Sequence, residues 1–205
     1  MKSNLVACLK ALFFCLALVT IFPLTAKTAR ADLVTFSTSG SFNGGGNSIT
    51  FGGSGNTLTL TFLPANATLN TPTTASFGVI QASATGTGAA IAAGTTLTVT
   101  ITQTSPSGGT ASLTGGLNTG TITPTSSSGQ LTFSAGQIGP VSINGFLYKI
   151  EFPNPLSLVA PNTNNGRTSI QGSIVTLVPE PTSMLLFATG LSGIVSLRRR
   201  WARRH

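Results

Sequence analysis

Acidic side chains are nearly missing from this chain, with three Asp and Glu residues against eleven Lys and Arg in 205 residues. Between residues 32 and 178 the only carboxylates are Asp32 and Glu151. General acid-base work needs a group of tunable pKa, and a Ser or Thr nucleophile needs a base beside it. A glycosidase built on paired carboxylates would require Asp32, at the start of that stretch, and Glu151, inside a strand, to converge on one bond. Histidine, cysteine and tryptophan are just as scarce: His205, Cys8, Cys15 and Trp201 all lie outside residues 32–178. That stretch therefore has no disulfide to staple it and no nitrogen or sulfur ligands for zinc. A calcium site would need more carboxylates than one strand and one terminus bring together. No catalytic residue, metal ligand or cofactor is expected, and the chain is not expected to be an enzyme.

The formal charge of +8 is concentrated at the two ends. Lys2, Lys10, Lys27 and Arg30 lead, Arg198, Arg199, Arg200, Arg203 and Arg204 trail, and in between Lys149 and Arg167 balance Asp32 and Glu151. A neutral central region lacks the basic face that nucleic acid requires, so no nucleic-acid partner is expected. Aromatic platforms for sugar rings are also sparse, because Tyr148 is the single Tyr and the Phe residues occupy apolar strand phases.

What is present begins with a leader. Lys2 and Lys10 precede an apolar run from Ala11 to Phe22, of the length of a signal-peptide hydrophobic region and short for a membrane span. Ala29 and Ala31 fit the A-x-A pattern before a cleavage site. Residues 1–31 are thus read as a signal peptide with a helical apolar segment, cut by signal peptidase to leave Asp32 at the mature N-terminus.

Residues 32–177 form the exported region, nearly half of it Gly, Ser and Thr. Such a composition raises the question of a disordered stalk. Leu, Ile, Val and Phe nevertheless supply about a quarter of it, above the roughly one-fifth below which chains stay disordered, and no net charge holds it open. Leu58, Leu60 and Phe62 alternate with Thr57, Thr59 and Thr61. Leu97, Val99 and Ile101 alternate in the same way with Thr96, Thr98, Thr100 and Thr102. Period two marks strands with one buried face, and β-branched Thr suits the exposed one. Further short strands are expected over 33–36, 48–51, 76–82, 120–123, 130–134 and 169–177, with turns at 43–46 and 105–109.

Asn144-Gly145 tolerates the positive φ of a type I′ turn and should join Val141–Ile143 to Phe146–Phe152. Ile143 then opposes Phe146 and Val141 opposes Tyr148 on one inward face, with Leu147, Lys149 and Glu151 on the other. About nine or ten short strands and no helical periodicity point to an all-β fold, an antiparallel sandwich or jelly roll. A β-solenoid would need a fixed repeat period, and none is found.

The tail, residues 178–205, has three parts. Pro179-Glu180-Pro181 resists helix and central-strand structure and leaves an extended peptide accessible to a processing enzyme. Residues 182–197 form an apolar stop, read as a transmembrane helix that holds the chain in the inner membrane transiently. Its sixteen residues span roughly 24 Å against a hydrocarbon core of roughly 30 Å, which suits a temporary signal better than a permanent anchor. Residues 198–205 are Arg-rich, and Arg198, Arg199, Arg200, Arg203 and Arg204 stay cytoplasmic under the positive-inside rule.

This order of parts resembles the PEP-CTERM sorting domain of Gram-negative, exopolysaccharide-producing bacteria. The resemblance covers residues 178–205 and implies an inner-membrane exosortase that recognises Pro179, Glu180 and Pro181, removes the hydrophobic tail and releases or reattaches the protein at the cell surface. The expected role is that of an exported surface or extracellular-matrix protein, structural or associated with biofilm exopolysaccharide. A non-catalytic carbohydrate-binding module is the alternative.

Overall fold

The computed structural model describes residues 32–134, 140–151 and 154–177, and Ala31–Val178 form one compact unit. The expected signal helix, the transmembrane helix and Phe152 lie outside the described residues. In chain order the strands are β1 (Leu33–Phe42), β2 (Ser48–Gly53), β3 (Asn56–Leu63), β4 (Asn66–Asn70), β5 (Thr73–Thr85), β6 (Ala89–Ala90) and β7 (Thr96–Ser105). They continue with β8 (Gly109–Leu117), β9 (Thr121–Ile122), β10 (Gln130–Phe133), β11 (Val141–Ile143), β12 (Phe146–Ile150), β13 (Leu156–Ser157) and β14 (Arg167–Thr176). A 3-10 turn, Asn164–Gly166, precedes β14.

The all-β expectation holds. One six-stranded sheet has the order β13-β10-β8-β7-β1-β4 and the other β11-β12-β14-β5-β3-β2, every pairing antiparallel, while β6 and β9 form a small third sheet. The two large sheets curl into half-barrels. Their inward faces meet in one apolar core that takes Val34 and Phe36 from β1, Leu58, Leu60 and Phe62 from β3, and Leu97, Val99 and Ile101 from β7. Period-two alternation positions all three sets, so the Thr residues between them turn outward as expected.

Outward hydroxyls pair across strands. Thr98 lies 3.0 Å from Thr114, Thr100 3.0 Å from Ser112, Thr50 3.0 Å from Thr59, and Thr57 2.8 Å from Thr85. Such pairs each add about 0.2–1 kcal/mol to sheet pairing.

Four strands, β4, β6, β8 and β13, stand where none was expected, and the described residues hold fourteen against the expected nine or ten. β8 reads as Gly-Thr-Ala-Ser-Leu-Thr-Gly-Gly-Leu, a composition typical of turns. Its inward Gly115 leaves the space that Leu131 and Phe133 of β10 occupy; a Cβ there would sit 2.7 Å from Leu131. β1 runs on to Phe42, beyond the expected end at Phe36, because small inward positions continue its alternation. Thr38 is buried, and its Oγ1 accepts the Ala65 N–H at 2.8 Å. β5 likewise extends the expected 76–82 strand in both directions, whereas 120–123 shrinks to Thr121–Ile122.

The Asn144-Gly145 hairpin forms as expected, with φ of 46° and 87° at the two positions. Ile143 opposes Phe146 and Val141 opposes Tyr148. Ile143, Phe146, Tyr148 and Ile150 are buried and Lys149 and Glu151 exposed.

Candidate functional site

The sequence singled out cleavage residues Ala29 and Ala31, recognition residues Pro179, Glu180 and Pro181, and retention residues Arg198, Arg199, Arg200, Arg203 and Arg204. All lie outside the described residues. What the fold shows is where the chain leaves the domain toward them.

β1 opens sheet one with Leu33 opposite Asn70, the last residue of β4. Thr73, three residues on, opens β5 opposite Ile174, near the end of β14 in the other sheet. The short link between β4 and β5 therefore ties the start of β1 to the finish of β14. Thr71 fastens that corner: its N–H donates to the Asp32 carbonyl at 3.0 Å and its Oγ1 donates to the same oxygen at 3.1 Å.

The turns of this end interlock. The Leu177 N–H donates to Gly145 O at 2.7 Å, and Asn144 Nδ2 donates to Gly108 O in the β7–β8 turn. Thr104, at the end of β7, donates from Oγ1 to Thr35 O at 3.3 Å. Both chain ends of the folded unit thus emerge at one end, among the β4–β5, β7–β8 and β11–β12 connections.

Among the described residues, the exposed large apolar side chains are Leu33, 51% exposed, and Leu177, 49% exposed, and both stand at this end. Sequence reasoning missed them. The signal was available in the phase, since Val34 and Phe36 point inward on β1 and Ile170 and Ile174 on β14, so the odd neighbours Leu33 and Leu177 must point outward.

The groups weighed for chemistry are dispersed. Lys149 Nζ lies 3.8 Å from Glu151 Oε1, with side chains 50% and 42% exposed, and Ser173 Oγ donates to the same oxygen at 2.9 Å. A solvated pair of this kind is worth at most about 1 kcal/mol. Asp32 precedes β1 in one sheet while Glu151 follows β12 in the other, so the two carboxylates are not brought together. Tyr148, inward as expected, is fully buried and donates its hydroxyl to Gln103 Oε1 at 2.7 Å. Phe36 and Phe77 pack around it with ring centroids 6.1 Å away. Burial pushes the Tyr148 pKa up to about 12. A shallow depression on the outer side of β1 and β4 is lined by Thr35, Ser37, Asn66, Thr68 and Thr104. Hydroxyls and an amide there offer neutral hydrogen-bonding partners but no ionisable group.

No curated protein and no solved structure matches the chain. A family model does match, over residues 177–200, a span that opens at the last described residue of the folded unit and contains Pro179, Glu180 and Pro181. The chain carries the PEP-CTERM protein-sorting motif, which implies processing by an exosortase-type enzyme and export to the cell surface.

Proposed function

We propose that this is a non-enzymatic, structural protein of the cell surface or extracellular matrix, made as a precursor with a signal peptide and a removable tail. The observation that carries the proposal is the junction at Leu177, where a complete antiparallel domain ends and the sorting motif begins. The two curled sheets packed on one core support the sandwich form of the fold. Signal peptidase acts at Ala31 in this reading, the inner membrane holds residues 182–197 transiently, and the exosortase-type enzyme cuts near Pro179-Glu180-Pro181.

Association with exopolysaccharide is supported by the neutral, hydroxyl-bearing outer faces of both sheets. A dedicated carbohydrate-binding module draws less support, because Tyr148 is committed to the core and cannot serve as a platform for a sugar ring.

The test is the fate of the tail in the native host. Intact mass should show a protein that starts at Asp32 and lacks the Arg-rich segment. Replacing Pro179, Glu180 and Pro181 together with Ala should leave a full-length tail in the membrane fraction. Normal processing of that variant, or a wild-type protein that keeps Trp201 and His205, would replace this reading with a permanent membrane anchor.

A further inference from the structure

We infer that the end of the domain from which both chain termini emerge is a docking surface for the processing enzyme, so that the enzyme engages the folded domain as well as the motif; this rests on the sorting reading above. The first argument is reach. Pro179 is two residues beyond Leu177, a span of at most about 7 Å, and Thr182 is five beyond, at most about 18 Å. An enzyme that cuts the chain between these residues has its active site close against the folded end.

The second argument is that the end cannot retreat. β14 lies between β12 and β5 in the middle of its sheet, with Ile174 opposite Thr73 and Thr176 opposite Phe146. Leu177 is held by Gly145 O. Lengthening the accessible peptide would break pairing on both sides of a central strand, which is far costlier than fraying an edge.

The third is the character of the surface. Leu33 and Leu177 supply exposed apolar contact, and Ser107, Asn144 and Gly145 are exposed, uncharged turn residues around them. Asp32, exposed beside Leu33, is the charged residue at this end among the described residues; Lys149 and Glu151 lie at and beyond the last residues of β12, and Arg167 opens β14 at the opposite end from Leu177. Exposed apolar side chains set among polar, mostly uncharged turn groups are a common makeup of a protein contact.

The experiment follows C-terminal processing of the full-length chain in the native host, as the ratio of precursor to mature protein after a pulse label. Leu33→Glu and Ser107→Glu should each raise the precursor several-fold, while Ala93→Glu, in the loop before β7 at the far end, should leave the ratio unchanged. Intact mass confirms that the N-terminal cut of Leu33→Glu is normal, and the melting temperature of the mature variants confirms folding. A twelve-residue Gly-Ser insertion after Leu177 should also slow processing, because it separates the motif from the docking surface. Wild-type ratios for both Glu variants, or faster processing with the insertion, would overturn the inference. If the Pro179, Glu180 and Pro181 replacement blocks processing while the end variants do not, the docking surface fails and the sorting reading stands. A photocrosslinker at position 107 that labels the exosortase-type enzyme supports the inference, and one that labels only lipid overturns it in favour of the membrane surface.

Discussion

Tyr148 shows how one polar atom in this core sets its own condition on stability. Its hydroxyl satisfies Gln103 Oε1, and Gln103, 1% exposed, donates from Nε2 to Ser107 O at 3.1 Å, so the buried pair also braces the β7–β8 turn. Tyr148→Phe leaves a buried acceptor without that donor and should cost about 1–3 kcal/mol. The folded-state pKa of about 12 lies above the ordinary value of 10.0. The stabilisation is therefore complete below about pH 10 and is lost as pH rises toward 12. Urea midpoints measured from pH 9 to pH 12 should fall for the wild-type domain, and this tyrosine's share of the fall should be absent in Tyr148→Phe. Gly40 makes the opposite point, since its contribution is empty space. A Cβ there would lie 2.3 Å from Phe62 Cγ, and a Cβ on Gly78 would lie 2.2 Å from Cζ at the tip of the same ring. Gly40→Ala should therefore destabilise the domain by about 1–3 kcal/mol, seen as a lowered melting temperature.

At the scale of elements, the hairpin at Asn144-Gly145 gives the cleanest separation of backbone from packing. Nothing lies within 4 Å of a Cβ placed on Gly145, yet its φ is 87°. Gly145→Val should thus lose about 1–3 kcal/mol through backbone strain alone, and Gly145→Asn should recover most of it. Equal melting temperatures for Gly145→Val and wild type would remove the turn from the list of stabilising features. This hairpin was legible in the sequence because turn chemistry and alternation agree on it. β3 and β7 were legible for a similar reason, each carrying three large apolar residues in phase. β8 and the second half of β1 were not. Their inward positions mix Leu113, Leu117 and Phe42 with Gly115, Thr38 and Gly40, so no unbroken run of large apolar residues marks the phase, and what packs on the glycines comes from other strands: Leu131 and Phe133 on Gly115, and Phe62 on Gly40. β6 and β13 are two residues each, too short for any periodicity to register. For the candidate site the division is similar. The sorting motif is local and could be read directly, whereas the meeting of Leu33, the β7–β8 turn and Leu177 depends on pairings between residues far apart in sequence.

For the whole molecule, both chain ends of the domain leave from one end, and the sorting motif follows directly on one of them. Disrupting the motif should change where the protein resides without changing how it folds. The Pro179, Glu180 and Pro181 replacement should therefore give a domain with wild-type melting temperature in the membrane fraction. The neutral charge of residues 32–177 adds a second expectation: stability should respond weakly to salt, because Lys149 with Glu151 is the ion pair between side chains among the described residues.

The shared end also decides how the domain carries a mechanical load. Tension applied between residue 33 and residue 177 enters β1 and β14 from the same side, so it pulls on Leu33 opposite Asn70 and on Thr176 opposite Phe146 before any inner pair feels it. Hydrogen bonds loaded one after another open like a zipper at low force, whereas strands pulled from opposite ends resist by sharing the load in parallel. A protein attached through its C-terminus and tugged at its N-terminus would yield early. If the domain were held through its C-terminus alone, no load would cross the turns at residues 43–46 and 53–56, which lie at the end opposite Leu33 and Leu177.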